Sequence, residues 1–132
     1  MSKELFWLVL TVAVTGLFWV PYILDRIAVR GVMGAMANPA PGDAPQSGWA
    51  QRMMAAHTNA VENLVIFAPL VLVAQAMNIA TPATAFACAL YFWSRLVHAA
   101  VFTLGIPVLR TLSFIGGFVA QVMLLLAIFK LS

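Results

Sequence analysis

The chain has 132 residues, of which 64% are hydrophobic and only 8% are charged. Soluble domains are about half apolar and a quarter charged, so this composition excludes an ordinary soluble domain. The net charge of +3 comes from seven Lys and Arg residues that are scattered singly, which excludes a basic run able to track nucleic acid. The single cysteine, Cys88, excludes an internal disulfide and a cysteine metal cluster. No metal and no nucleic acid partner is therefore expected.

Four apolar segments of spanning length take up nearly the whole chain, because a helix needs about 20 apolar residues to cross a bilayer. We expect an all-α, integral membrane four-helix bundle that forms a single membrane domain over residues 1–132. The first segment follows a short polar start like a secretory signal, but no small-residue cleavage site follows it, so we interpret it as a retained helix. The predicted spans are approximately residues 5–24, 49–77, 83–104 and 108–129, with a loop over 25–48.

Local signals mark the ends of these helices. Pro21 is expected to bend the end of the first helix, and Pro82 suits the first position of the third. Gly105 to Pro107 form a tight break, and Gly116 with Gly117 permits close helix approach.

The arginines predict an orientation. Arg26, Arg30 and Arg52 flank the first connection and Arg110 follows the third, whereas the opposite side offers only lysines near the termini. Because cytoplasmic loops carry an excess of Lys and Arg, the first and third loops are expected to be cytoplasmic, with both termini on the opposite side.

Glu62 and Arg95 fall inside predicted spans, where a charged group costs about 2.5 to 3.5 kcal/mol at mid-depth. Arg95 lies too deep in its helix to reach the membrane surface easily, and Glu62 is the only acid that we place inside a span. Glu62 is thus the expected partner of Arg95, Arg110 or a ligand. One interpretation is a polar ligand site; another is a hydrogen-bonded cluster of Glu62, Arg95 and Asn59 that holds the bundle together.

Helical spacing groups the polar residues into two faces. At about 100° per residue, Arg52, Asn59 and Asn63 share a face of the second span with Glu62 at its edge, while His57 points elsewhere. In the third span one face recurs at i, i+4, i+7 and i+11, formed by Tyr91, Arg95, His98 and Phe102. These faces must meet each other, a neighbouring chain or a bound polar ligand.

The motif His57-x-Asn59-x-x-Glu62-Asn63 resembles the second-helix signature of the MAPEG superfamily, the membrane-associated proteins in eicosanoid and glutathione metabolism. Arg95-x-x-His98 with an aromatic residue at 102, Pro107 with Arg110, and Arg30 ahead of Asn38-Pro39 are similar to further family features. The resemblance covers essentially the full chain and suggests a bacterial-type member.

This resemblance implies a homotrimer that binds glutathione between subunits near the cytoplasmic face. It implies that Arg30, Arg52, Arg95 and Arg110 hold the carboxylates of glutathione or favour its thiolate, with Arg110 as the expected catalytic residue. Glu62 would take the amine, Asn59 would bond the peptide, and His57 and His98 would support the site. Tyr91 could substitute for a missing hydroxyl.

Three functions stay open. The first is a glutathione-dependent transferase or peroxidase that acts on lipophilic electrophiles entering from the bilayer. The second is a non-catalytic relative that binds a membrane lipid or another anionic ligand, which is favoured by Ala55 and Phe102, since glutathione-using members carry arginine and tyrosine there. The third, a small proton-coupled transporter, is disfavoured because Glu62 has arginines near it, and these would lower the pKa that such an acid needs raised.

Overall fold

The computed structural model describes residues 1–131 of the chain, which form five helical segments and no strand. The segments are α1 (Lys3–Leu17), α2 (Trp19–Met36), α3 (Gly48–Ala76), α4 (Pro82–Leu104) and α5 (Pro107–Leu131). Helices α1 and α2 follow each other closely enough to make one span, so four helices are long and apolar enough to cross a membrane. The predicted all-α four-helix membrane bundle is confirmed, and the chain is an integral, multi-pass membrane protein.

The first span differs from its predicted length. A break at Phe18 separates α1 from α2, and Pro21 accounts for it because a proline has no N–H to bond the carbonyl four residues earlier, that of Leu17. Beyond the break the helix continues past the predicted end at Leu24 to Met36, with a non-helical backbone only at Gly31 (φ 71°). The non-helical connection therefore covers only 37–47 of the 25–48 predicted as loop.

Asp25 explains why the helix continues through a charged residue. Its side chain is only 8% exposed and accepts hydrogen bonds from the Ser47 backbone N–H (3.0 Å), the Ser47 hydroxyl (2.5 Å) and the Gln46 amide (3.2 Å). Buried carboxylates are tolerated when donors satisfy them. Asp25 thereby fixes the start of α3 against α2.

The other connections are short, as predicted. Asn78 takes a left-handed conformation (φ 57°) after α3, and the Thr81 side chain then caps α4, which begins at Pro82. At the far end of α4, Gly105 is left-handed (φ 77°) and closes the helix before Pro107 starts α5. Because these connections are short, α4 runs antiparallel to α3, and α5 runs antiparallel to α4.

Helices α4 and α5 form the most extensive contact in the bundle, and α4 also packs on α3 and α1. Two glycines permit this approach: a Cβ on Gly116 would lie 2.5 Å from Ser94 Oγ, and one on Gly117 would lie 3.1 Å from Arg95 Cδ. The core centres on Phe67, whose ring stacks on Tyr91 at 3.7 Å between centroids. Large apolar side chains line the outside instead, as in a bundle whose solvent is lipid.

Candidate functional site

Arg95 lies inside the bundle, where its side chain is 5% exposed. Its Nη2 donates a 2.6 Å hydrogen bond to Asn59 Oδ1, which joins α4 to α3. The other guanidinium nitrogens, Nε and Nη1, are buried and have no hydrogen-bond partner among the residues the structure describes. A buried charge with open donors costs free energy unless something satisfies it, so Arg95 retains capacity for an anion or for water.

A small network of amides extends from this bond. Asn63 Nδ2 donates to the Asn59 carbonyl at 2.9 Å, and Gln121 Nε2 of α5 donates to the Asn63 carbonyl at 3.2 Å. Three helices are therefore joined through polar groups at one level of the bundle. Sequence reasoning missed Gln121, although it is the one amide side chain in the fourth span.

Glu62 does not pair with Arg95, contrary to the expectation from the sequence. It is exposed on the outer side of α3 and makes no hydrogen bond or ion pair with any residue in the described range 1–131. The reason is rotation: three residues from Asn59 correspond to about 300°, an offset of about 60° around the helix, which leaves Glu62 on the exposed side while Asn59 meets α4. The predicted cluster of Glu62, Arg95 and Asn59 thus forms only between Arg95 and Asn59.

His57 is held by a residue that the sequence did not single out. The Tyr22 hydroxyl of α2 lies 2.8 Å from His57 Nδ1, and the ring of Phe18 contacts the imidazole edge to face. His57 and Glu62 border one surface hollow of about 240 Å³ on the outside of α3. The structure therefore brings an oriented imidazole and an unpaired carboxylate to the same outer surface.

The predicted face of α4 is turned inward. Tyr91 is 1% and His98 2% exposed, and both pack among rings rather than lining an open cavity. His98 contacts the rings of Phe102 and Phe114, and its Nδ1 has no partner among the described residues. These residues share the buried side of α4 with Arg95, as their spacing predicts, but they do not form a preformed ligand pocket in the single chain.

The remaining arginines gather at one end of the bundle. Arg52 Nε donates to the Thr103 carbonyl at 2.9 Å, and Arg110 lies 4.9 Å from the centre of the Phe102 ring. Both side chains are exposed, and no acid pairs with either of them among residues 1–131. This end therefore presents a cationic surface that can accept an anion.

Arg30 is at the same end but is occupied by the first connection. Its Nε donates to the Ala44 carbonyl at 2.9 Å, and its Nη1 lies 3.6 Å from the Asp43 carboxylate. Arg26 likewise donates to the Ala37 carbonyl at 3.3 Å. These two arginines hold the loop over 37–47 on α2.

The site residues predicted from sequence thus fall into three groups. Asn59 and Arg95 bond to each other in the interior, with Tyr91 and His98 on the same buried face. His57 and Glu62 lie together on the outer surface of α3, and Arg30, Arg52 and Arg110 lie at the helix ends. Within the described part of the chain, no group of three or more His, Cys, Asp or Glu could hold a metal ion.

Comparison with protein-family models matches the chain to the MAPEG family over residues 5–130. The match spans nearly the whole chain, and the chain belongs to the MAPEG family. Neither a curated protein nor a solved structure matches it.

Proposed function

We propose that the chain is a glutathione-dependent transferase or peroxidase that acts on lipophilic electrophiles reaching it from the bilayer. In this proposal the protein is a homotrimer, and glutathione binds between copies at the arginine-rich end. That end, with the first and third loops, faces the cytoplasm.

One observation carries the proposal: Glu62 lies near the middle of the 29-residue α3, yet it is exposed and unpaired among the described residues. A carboxylate facing lipid at that depth costs about 2.5 to 3.5 kcal/mol. A second copy or a polar ligand that covers this face would remove the cost. The primary amine of glutathione is a matching partner for it.

The arginines supply the complementary charge. Arg52 and Arg110 are exposed and make no ion pair within the described residues, so each can bind a carboxylate of glutathione. A cation beside the sulfur favours the thiolate, which is the nucleophile. Arg110 is our candidate for that role. In the interior Asn59 and Arg95 are bonded to each other, and His57 is held in place by Tyr22.

The chemistry needs no resident cofactor. In the transferase reaction the thiolate sulfur bonds to the electrophilic carbon while a leaving group such as halide departs with its electron pair. In the peroxidase reaction two glutathione molecules are oxidised to the disulfide, and a hydroperoxide is reduced to an alcohol and water. The apolar outer surface of the bundle is suited to substrates dissolved in the membrane.

A second candidate function is non-catalytic binding of a lipid or another anion on the same surface. Two positions favour it: the exposed Ala55 adds no cation, and the Phe102 ring lies beneath Arg110 without a hydroxyl. Such a protein would bind an anion without activating a thiol.

Glutathione titration of the purified protein tests the proposal, with thermal stability, thiolate absorbance and turnover of an aryl halide as readouts. We expect wild type to be stabilised and active, and Glu62→Gln and Arg110→Ala to lose both responses. Asp43→Asn is the matched control, because among residues 1–131 this acid pairs with the loop and Arg30 alone. Stabilisation without thiolate or turnover would favour the second function, and no response at millimolar glutathione would reject the first.

A further inference from the structure

At the end of the bundle opposite the arginines, a second carboxylate is buried. Glu4 is 4% exposed, although it lies in the first turn of α1 next to the exposed Lys3. The proposed glutathione surface does not use it, because α4 separates them: Arg52 contacts the last turn of α4, and Glu4 contacts the first. A buried carboxylate is costly unless donors satisfy it.

Only one of the two Glu4 oxygens is satisfied within the described residues. Thr84 Oγ1 donates to Glu4 Oε1 at 2.6 Å. Thr84 is itself fixed, because its hydroxyl accepts from the Thr81 N–H at 2.8 Å in the capping box that starts α4. Glu4 Oε2 accepts no hydrogen bond from residues 1–131, so the carboxylate is held rigidly with one acceptor open.

Glu4 lines an open cavity of about 400 Å³, large enough for a small polar group. The walls come from residues 2–4 at the start of α1 and from 80–82 and 85 at the start of α4. Glu4, which has an open acceptor, and the cationic residue Lys3 therefore line one space. Two helix N-termini also meet here, and the positive ends of their dipoles favour an anion such as phosphate.

The position of the cavity identifies the source of its ligand. Both helices that border it begin there and then continue as apolar spans, so the cavity lies at the level where lipid headgroups meet the hydrocarbon. The lining offers one acceptor for a cation and one cation for an anion, which matches a zwitterionic headgroup. The open oxygen requires a donated N–H, which a primary ammonium has and a trimethylammonium lacks.

We propose that this cavity binds the headgroup of an ethanolamine phospholipid, with Glu4 accepting a hydrogen bond from the ammonium and Lys3 pairing with the phosphate. This lipid site does not depend on the proposed glutathione chemistry, so the absence of glutathione binding would not contradict it.

The test measures lipid retained by the purified protein in native mass spectrometry, using ethanolamine and choline phospholipids with identical acyl chains. We expect wild type to retain the ethanolamine lipid about tenfold more strongly, the factor that one charge-assisted hydrogen bond supplies. Glu4→Gln should remove the preference. Asp43→Asn, the control at a carboxylate in the connection at the opposite end of the bundle, should keep it. Lys3→Ala should weaken retention of both lipids alike, because both carry the phosphate.

Equal retention of the two lipids by wild type would overturn the proposal, as would a preference that survives in Glu4→Gln. Free ethanolamine that displaces the lipid at low millimolar concentration would instead assign the cavity to a soluble amine and reject the lipid. If Glu4→Gln fails to fold, the proposal is tested on wild type alone. Its retention is then measured for phospholipids whose ethanolamine headgroups bear one, two or three N-methyl groups. Retention should fall stepwise as N–H donors are lost, and a flat series would contradict the assignment.

Discussion

Arg95 Nη2 donates to Asn59 Oδ1 at 2.6 Å, and this bond is the only one that the buried guanidinium makes with the described residues. It joins α3 to α4 at the level where Gln121 of α5 reaches the Asn63 carbonyl. The bundle therefore keeps a charge in its interior with a neutral partner. The remaining donors of Arg95 face no counter-charge from residues 1–131.

This arrangement predicts that Asn59→Ala destabilises the protein. A hydrogen bond to a charged group contributes about 1.5 to 3 kcal/mol, and its loss leaves Arg95 without a hydrogen-bond partner among the described residues. Unfolding of the detergent-solubilised protein by sodium dodecyl sulfate should show a loss of unfolding free energy in that range. Asn63→Ala is the control, since its side chain bonds only to Asn59 within α3. An equal loss of unfolding free energy in both variants would show that the hydrogen bond to Arg95 contributes no more to stability than the bonds of the Asn63 side chain.

The glycines of α5 predict a packing effect. Gly117→Ala places a Cβ about 3.1 Å from Arg95 Cδ. Arg95 cannot give way because Asn59 holds its guanidinium, so we expect a loss of about 1 to 3 kcal/mol from overpacking. Gly16→Ala is the matched control, because a Cβ there meets nothing within 4 Å.

In Gly16→Ala the unfolding free energy should stay unchanged or rise by up to about 1 kcal/mol, as expected when a helical glycine is replaced without strain. Both variants are compared by the same detergent titration. A Gly117→Ala protein as stable as Gly16→Ala would mean that α4 and α5 separate without cost.

Much of the fold follows from local signals, and these are the features that sequence predicts. Pro82 and Gly105 mark helix ends by their own backbone preferences, and the four spans follow from apolar length. The first helix was predicted too short because Asp25 suggests a water-exposed end. Its donors come from Gln46 and Ser47, more than twenty residues away, and a single sequence does not show them.

The contacts of the site were harder to predict, because they too join residues that lie far apart in the sequence. Tyr22 and Glu4 have partners 35 and 80 residues away, so no spacing pattern marks them. The pairing of Glu62 with Arg95 was wrong because charge alone does not fix rotation about a helix axis. Packing sets that rotation, and it turns Asn59 rather than Glu62 toward α4.

Substitution of the two aspartates at the arginine-rich end, Asp25 and Asp43, is expected to change the stability of the protein by different amounts. Asp25→Asn removes the carboxylate that binds Ser47 and Gln46, and we expect it to lower the free energy of unfolding by more than Asp43→Asn does. Asp43→Asn removes a partly exposed ion pair with Arg30, which contributes less than about 1 kcal/mol. Limited proteolysis of the 37–47 connection checks the cause: Asp25→Asn should speed cleavage more than Asp43→Asn does. The reverse order would place the anchor of the loop at Arg30.

Tyr22→Phe predicts a functional effect that rests on the proposed glutathione site. The hydroxyl lies 2.8 Å from His57 Nδ1 and so fixes the ring orientation of the histidine beside Glu62. Losing that bond should weaken glutathione binding about two- to twelvefold, since one hydrogen bond contributes about 0.5 to 1.5 kcal/mol. Isothermal titration calorimetry measures the Kd.

Tyr91→Phe is the control for this prediction. It removes the other tyrosine hydroxyl of the chain, on a ring stacked against Phe67 inside the core, and should leave the Kd unchanged. If Tyr91→Phe weakens binding and Tyr22→Phe does not, the ligand contacts the buried face of α4 and the hollow beside His57 is not the site.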